Sequence, residues 1–358
     1  MLATESRIPV WHYVPIDIKS FVPERRAPVS LYLRFGGRYV LFTKASTAID
    51  GARQRRLIEA GVVKFHFRVS DGQLETGEAT LQDVLMSPED EVPTPVKAGL
   101  LYGAATSAAQ LVYAAPQMPE GLSRARDVVG SITSTLAYSP SMLHSIVRMM
   151  SHEHSVHCHA VNVATYAVAI ANKLGLARKT VVSLAEGAFL HDIGKLQIHD
   201  AVLNKPGPLS EHEWVEVRQH PDWGAELLSR ETRVDPIVMA IVLQHQERLD
   251  RSGYPQHLAS SEIDPAALIV AAADVYDALT AARPYRRPLS PFGALHEIKN
   301  EMAGQIDRSS YEALVRVLGP SESPVRPAHT NHQAPSRQML PLRSPNPWRV
   351  PALLRTPG

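Results

Sequence analysis

The sequence predicts a mainly α-helical protein that begins with a small α+β region and ends in a disordered tail. Apolar residues recur at three- and four-residue spacing through the middle of the chain, strand-like alternation is confined to its start, and Pro, Ser and Arg dominate its end. We place an accessory α+β domain at 1–85, a linker and a helix at 86–129, a helical domain at 130–318 and a disordered tail at 319–358.

The elements of the accessory domain follow from alternation and from glycine positions. Apolar and polar residues alternate in the strands, and glycines mark where segments end. We predict strands at 30–34, 38–42 and 62–67 and a helix at 49–60. Gly61 ends that helix, because glycine readily adopts the left-handed conformation of a helix cap.

The helical domain contains long amphipathic segments separated by breakers such as Gly175. The clearest predicted helices are 162–174, 180–190, 211–228 and 266–282. Residues 99–115 carry no charge, but they are few for a membrane span and rich in small and polar residues, so we predict a buried helix there.

Composition indicates a soluble globular protein. Of the 358 residues, 44% are hydrophobic and 20% are charged, and the net charge of +1 gives no overall basic field for binding nucleic acid. Cys158 is the only cysteine, so no intrachain disulfide can form and a cytoplasmic location is expected. We predict neither a secretory signal nor a membrane span.

A metal site is suggested by His191-Asp192 at the end of an apolar helix. An imidazole nitrogen beside a carboxylate suits a divalent ion such as Fe, Mn or Zn, and a carboxylate can bridge two ions. We expect Lys195 on the same helical face, where it could meet a phosphate or a hydrolytic water. Gly194 removes a side chain where we expect substrate to approach.

A lone His-Asp pair is a weak signal, and other side chains strengthen it. His159, His220 and His245 lie near the ends of predicted helices, and Asp274 lies within a very apolar one. A buried carboxylate needs a partner, and no Lys or Arg stands within a helical turn of Asp274. The alternative is that these are core histidines and capping aspartates; the ensemble favours a shared metal centre.

These motifs, in this order, resemble the HD-GYP phosphodiesterases over roughly residues 130–318. The resemblance rests on the following segments: His191-Asp192, Gly194-Lys195, Asn204-Lys205-Pro206-Gly207, Leu209-Ser210, Glu213-Trp214, His220-Pro221, His245, Glu247, Asp250, Ser252-Gly253-Tyr254-Pro255, Ala273 to Thr280 and Arg283-Pro284-Tyr285-Arg286. It implies an HD-domain helical bundle that hydrolyses cyclic di-GMP to pGpG, and in some members onward to GMP.

The resemblance also implies roles for individual residues. One divalent ion, Fe, Mn or similar, would be held by His159, His191, Asp192 and Asp274. Asp192 would bridge to a second ion held by His220 and His245. Lys195 and Asp192 would be the catalytic residues. The implied substrate-binding residues are Asp277, Arg283, Arg286, Gly253, Tyr254 and Pro255.

Three positions depart from the family pattern. Gln246 stands where the family has a second adjacent histidine, and its neutral amide is a poor ligand for a second metal. Arg251 adds bulk and charge beside Gly253-Tyr254-Pro255, which looks like the signature loop of the family. Ser155 occupies the position of a glutamate that holds a third metal in some members. His257 is a weak candidate for a replacement ligand.

Alternative functions remain open at this point. A chain weakened at Gln246 could be a cyclic di-GMP receptor with little or no activity, or the domain could hydrolyse another nucleotide phosphate ester. The expected partners are cyclic di-GMP, a regulatory protein reached through the accessory domain and a second copy in a homodimer. Nucleic acid and a membrane are not expected partners.

Overall fold

The protein is described here by a computed structural model. It describes residues 12–35, 37–70, 73–74, 80–114, 119–150, 155–205, 207–231, 234–282 and 287–319. Two of the predicted substrate-binding residues, Arg283 and Arg286, lie outside these ranges. Apart from Gly319, so does the predicted disordered tail.

An antiparallel sheet opens the chain, as the alternation predicts. Its strands are His12–Asp17 (β1), Leu31–Phe35 (β2), Arg38–Thr43 (β3), Lys64–Ser70 (β4) and Gln73–Leu74 (β5). The strand order is β1-β4-β2-β3, with β5 paired to β4. Phe65, Phe67 and Leu31 are buried on one face of this sheet and form part of a small hydrophobic core.

Two short helices accompany the sheet, Gly51–Glu59 (α1) and Leu81–Met86 (α2). Asp50 caps α1 by accepting a hydrogen bond from the backbone N–H of Arg53. The helix ends just before Gly61, whose φ of +82° is the left-handed conformation expected there.

The rest of the described chain is helical. Its helices are Thr94–Ala114 (α3), Pro119–Tyr138 (α4), Met142–Met149 (α5), Val156–Lys173 (α6), Arg178–Leu190 (α7), Asp200–Leu203 (α8), Glu211–Val217 (α9), His220–Ser229 (α10), Pro236–Gln244 (α11), Pro265–Thr280 (α12), Pro291–Glu301 (α13) and Arg308–Leu318 (α14). The helices at 180–190 and 266–282 are thus confirmed within two residues at each end, whereas the helix predicted at 162–174 begins six residues earlier, at Val156. One large hydrophobic core runs through α3 to α7 and α10 to α14.

Helix α3 belongs to both hydrophobic cores. Its residues Val96 and Leu100 pack in the core beneath the sheet, whereas Leu101 packs in the core of the helical bundle. A Cβ atom at Gly103 would lie 2.9 Å from Cζ of Phe67, so the glycine permits close approach of helix and sheet. The predicted buried helix is therefore present over its described residues.

None of the described helices combines the length and the apolar character that a membrane crossing requires. The sheet and the bundle share a helix, and the domain boundaries drawn from the sequence stay a prediction.

The structure corrects two local predictions. The helix expected at 211–228 is divided into α9 and α10, which meet at Arg218-Gln219. Helix α7 ends at Leu190, so Lys195 lies in a short 3₁₀ helix, Ile193–Gln197, and not on a continued α-helical face. The two helix ends are related, because the 3₁₀ helix that follows α7 packs against the start of α10.

Candidate metal centre

Six side chains predicted to hold metal meet inside the bundle. His159 comes from the first turn of α6, His191-Asp192 follows α7, and His220 begins α10. His245 follows α11, and Asp274 lies in the middle of α12. Two groups of ligand atoms are close enough to hold an ion each: His159, His191 and Asp192 in one, and Asp192, His220 and His245 in the other. Asp192 belongs to both groups.

The first group is arranged around one oxygen of Asp192. Nε2 of His159 lies 3.6 Å from Oδ2 of Asp192, and Nε2 of His191 lies 3.4 Å from the same oxygen. Asp274 adjoins this group, with its Oδ1 3.1 Å from Nε2 of His159. These are the four residues that the resemblance assigns to one ion.

The second group is arranged around the other oxygen of Asp192. Oδ1 lies 3.4 Å from Nε2 of His220 and 3.7 Å from Nε2 of His245. All three side chains are almost completely buried. A carboxylate whose two oxygens face two separate sets of imidazoles is suited to bridging two cations.

Backbone carbonyls orient three of the imidazoles. Nδ1 of His191 donates to the carbonyl of Ala188 at 2.7 Å, and Nδ1 of His220 donates to that of Val217 at 2.8 Å. Nδ1 of His245 likewise donates to a carbonyl of its own helix. A ring that donates through Nδ1 presents the lone pair of Nε2, which is the arrangement of metal-binding histidines.

Three features indicate that these residues fit a metal ion. Nε2 of His191 and Oδ1 of Asp192 are buried and have no hydrogen-bond partner among the described residues. Nε2 of His220 lies 3.0 Å from Nε2 of His245, although both rings donate through Nδ1. Buried polar atoms left without a partner are costly, and two lone pairs facing each other repel. A cation between these atoms would satisfy all of them.

Burial also sets the charge of the two histidines in the second group. It lowers the pKa of His220 to about 3 and lowers the pKa of His245 as well. Both rings are therefore neutral at pH 7, and the neutral ring is the form that binds metal.

In the first group, the surroundings shift the pKa values of His159 and Asp192. Burial by itself would lower the pKa of His159, but hydrogen bonds to Asp274 and Asp277 raise it to about 10. Burial opposes ionisation of Asp192, and the positive charge of Lys195 outweighs it, so the pKa of Asp192 lies well below its usual range. Asp192 is thus ionised at neutral pH and offers a carboxylate to a cation.

Lys195 contacts the metal ligands from a 3₁₀ helix and not from the predicted α-helical face. From the 3₁₀ helix its Nζ donates to Oδ2 of Asp192 at 2.5 Å. Gly194 makes room for backbone, and the approach of substrate at this residue stays a prediction. A Cβ atom there would lie 1.9 Å from the carbonyl oxygen of His220 and 2.5 Å from the backbone N of Gly224.

Asp277 lies behind His159, and its predicted contact with substrate stays a prediction. Its Oδ2 accepts from Nδ1 of His159 at 2.7 Å, and its Oδ1 accepts from Nδ2 of Asn162 at 2.9 Å. Asn162 in turn accepts from the hydroxyl of Tyr102 at 3.1 Å. With both oxygens engaged, Asp277 orients an imidazole, as carboxylates behind metal-binding histidines do. The sequence analysis missed Asn162; an amide three residues after His159 in an apolar helix was the available signal.

The family model for the HD domain matches residues 140–309, the segment that supplies all six of these side chains. Over this segment the chain therefore resembles HD-domain proteins. The resemblance to HD-domain phosphodiesterases predicted from the sequence is therefore confirmed.

Several named proteins are similar in sequence to this chain. Cyclic di-GMP phosphodiesterase PA4108 of Pseudomonas aeruginosa is 34% identical over 224 residues, which are 62% of this chain and 54% of that protein. The 3'3'-cGAMP-specific phosphodiesterase 2 of Vibrio cholerae is 35% identical over 161 residues, which are 45% of this chain and 30% of that protein. The chain thus spans only about half, or less, of the length of these relatives.

A solved structure shares the fold. Bd1817, an HDG"Y"P protein from Bdellovibrio bacteriovorus, matches 86% of this chain and 99% of its own with a TM-score of 0.56. The two sequences are 20% identical, so this likeness concerns the fold alone.

The loop Ser252-Gly253-Tyr254-Pro255 lies beside the second group of ligands. Gly253 is required by close packing, since a Cβ atom there would lie 2.5 Å from the carbonyl oxygen of Gln246. The Tyr254 ring lies 6.0 Å from the ring of His220, and the Tyr254-Pro255 peptide bond is cis. The loop thus borders the centre, and its predicted contact with substrate stays a prediction.

Glu247 holds this loop in place through hydrogen bonds to its backbone. Its carboxylate is 1% exposed and accepts hydrogen bonds from the backbone N–H groups of Gln256 at 2.7 Å and Leu258 at 3.1 Å. Arg248, also buried, donates to the carbonyls of Glu247 and His245. The two side chains therefore hold the backbone that follows α11.

The weaker candidates lie apart from the ligands. His257 is exposed and its Nδ1 lies 3.3 Å from the carbonyl of Arg251, so it belongs to neither ligand group. Ser155 caps α6 by accepting from the backbone N–H of Cys158. Arg251, also exposed, lies in the loop with a φ of +63°.

Proposed function

We propose that this protein is a metal-dependent phosphodiesterase that hydrolyses cyclic di-GMP to pGpG. The observation that carries the proposal is the buried carboxylate of Asp192 between two sets of imidazoles whose ligand atoms need a cation. Relatives named as cyclic di-GMP phosphodiesterases support the same reaction class. Further hydrolysis to GMP belongs to the same chemistry.

In this proposal the ligands divide as the sequence predicts. His159, His191, Asp192 and Asp274 hold one divalent ion, Fe or Mn, and Asp192, His220 and His245 hold the second. Bound ions of this kind supply a hydroxide at neutral pH and neutralise charge on a phosphoryl group.

The protein groups prepare that chemistry. Asp192 is kept ionised by its surroundings, and Lys195 adds a positive charge beside it that can stabilise a phosphoryl oxygen. Asp277 and the three backbone carbonyls keep the imidazoles in the orientation that binds metal. Gly253, Tyr254 and Pro255 border the space into which a phosphodiester would enter.

The test is a product assay on purified protein loaded with Mn²⁺ or Fe²⁺. We expect pGpG to be released from cyclic di-GMP, with His191→Ala losing both metal and activity and the exposed-surface variant Asp127→Asn keeping both. Absence of product with every metal tried, in protein shown to contain metal, would refute the proposed reaction.

A receptor function is the second candidate, because Gln246 stands where a metal ligand is expected. It predicts binding of cyclic di-GMP in calorimetry without turnover. The substrate is a further alternative, since the relative in Vibrio cholerae is named for 3'3'-cGAMP and is as similar in sequence. Competition among cyclic di-GMP, 3'3'-cGAMP and mononucleotides separates these outcomes.

We further propose that residues 1–85 form an accessory domain that receives a regulatory protein, and that the protein acts in the cytoplasm as a homodimer. The single cysteine supports the location. Mass photometry of the full chain would test the dimer.

A further inference from the structure

Arg218 lies at the edge of the candidate metal centre, in the break between α9 and α10. It stands two residues before His220, and its side chain is half-buried. The guanidinium carbon lies 5.9 Å from the ring centroid of Trp214 and 5.9 Å from that of Tyr254. The Tyr254 ring in turn borders His220. A fixed positive charge therefore stands beside the loop that lines the site.

This guanidinium retains its capacity to bind an anion. Among the described residues, no carboxylate lies within ion-pair distance of it and no hydrogen-bond acceptor receives its side-chain N–H groups. Contacts with aromatic rings use the faces of a guanidinium, whereas its five N–H donors lie in the plane. Those donors match the paired oxygens of a phosphate.

Three other cations of the described chain already have partners. Lys195 is bonded to Asp192, Lys205 is bonded to Glu213, and Arg248 donates to backbone carbonyls. A cyclic dinucleotide carries two phosphodiesters, and the metal ligands with Lys195 account for only one of them. Arg218 is a cation at the rim of the site that can meet the remaining negative charge, in addition to the predicted substrate contacts Arg283 and Arg286.

We propose that Arg218 binds the phosphodiester of the cyclic dinucleotide that is not being cleaved. The inference rests on the proposed function, because it assigns a second contact to the same substrate. Trp214 and Tyr254 hold the guanidinium in place, so that little side-chain entropy is lost when the phosphate is bound.

The test is Arg218→Met, which keeps an unbranched apolar side chain between the rings and removes the charge. We expect KM for cyclic di-GMP to rise about tenfold or more, with kcat changed less than about threefold. Hydrolysis of bis(p-nitrophenyl) phosphate, which has one phosphodiester, should be unchanged. Metal content and melting temperature should also match those of the parent protein.

Matched variants separate this role from others. Arg230→Met removes an exposed arginine at the end of α10 and should leave every value unchanged, while Arg218→Lys should recover part of the affinity. A loss of metal or an equal loss on both substrates would make Arg218 a structural support and overturn the inference. So would a KM that does not change. A selective loss for cyclic di-GMP over cyclic di-AMP would assign the contact to guanine instead.

Failure of the proposed function has a different signature. In that case the parent protein, loaded with metal, neither binds nor cleaves cyclic di-GMP. The role proposed for Arg218 is then refuted together with the proposed function. If the parent protein is active and Arg218→Met is equally active and equally tight, only the inference about Arg218 fails.

Discussion

The side-chain amide of Gln246 donates a hydrogen bond from Nε2 to Oδ2 of Asp274 at 3.0 Å. Its carbonyl oxygen lies 3.5 Å from Nη2 of Arg248. The amide thus turns its donor toward a predicted metal ligand and its acceptor toward a buried arginine. The structure therefore explains how a glutamine is accommodated where the family has a histidine. Gln246 donates a hydrogen bond that stabilises the carboxylate of Asp274.

Gln246→His is expected to increase metal binding. An imidazole at this position would offer a nitrogen ligand in place of an amide donor, so the variant should retain an additional ion and gain roughly tenfold in rate. Metal analysis beside pGpG release checks both quantities. Gln256→His, at an exposed position of the loop, serves as the control. More metal without more activity would mean that Gln246 does not limit the rate.

Asp277→Asn is expected to weaken metal binding without unfolding the protein. Asparagine has nearly the same shape, but it carries no charge to hold the Nδ1–H of His159. Affinity for the ion at His159 should fall by roughly 10- to 100-fold. Titration with Mn²⁺ measures the change, with the exposed Asp127→Asn as its control. If Asp277 contacted substrate instead, metal affinity would stay constant and KM would rise.

Gly194→Ala is expected to destabilise the fold and the second ligand group together. The added methyl would overlap the carbonyl of His220, so backbone must move, at a cost of about 1–3 kcal/mol. Urea unfolding measures this loss, and metal content reports the displacement of His220. Gly130→Ala is the matched control, because its Cβ meets nothing within 4 Å and a helical alanine stabilises by about 0.5–1 kcal/mol. Equal stabilities of the two variants would contradict the packing argument.

Glu247→Gln is expected to loosen the signature loop. The amide group keeps one acceptor oxygen for the two backbone donors, Gln256 and Leu258, and a lost hydrogen bond to a carboxylate is worth about 1.5–3 kcal/mol. Hydrogen exchange at these two amides should accelerate about tenfold or more. Glu262→Gln is the control, since the exposed Glu262 caps only Ala259. Unchanged protection would show that Glu247 does not anchor the loop.

Much of the fold could be predicted because its signals are local. Alternation placed β2 and β3, Gly61 ended α1, and three- and four-residue spacing placed α6, α7 and α12. The break at Arg218-Gln219 was missed by the apolar periodicity, although Pro221 after His220 disfavours a continuous helix there. It is imposed by the packing of the 3₁₀ helix after Asp192 against the start of α10.

The sequence by itself determined the helical class, the resemblance to HD-domain proteins and which six side chains would be brought together. Residue type and order carry that information, since few arrangements place His and Asp in such apolar segments. Only the tertiary structure decided what surrounds them. Asp277 faces His159, Gln246 donates to Asp274 and Gly194 accommodates a carbonyl, because each contact joins residues from different helices. Such distances depend on how the helices pack.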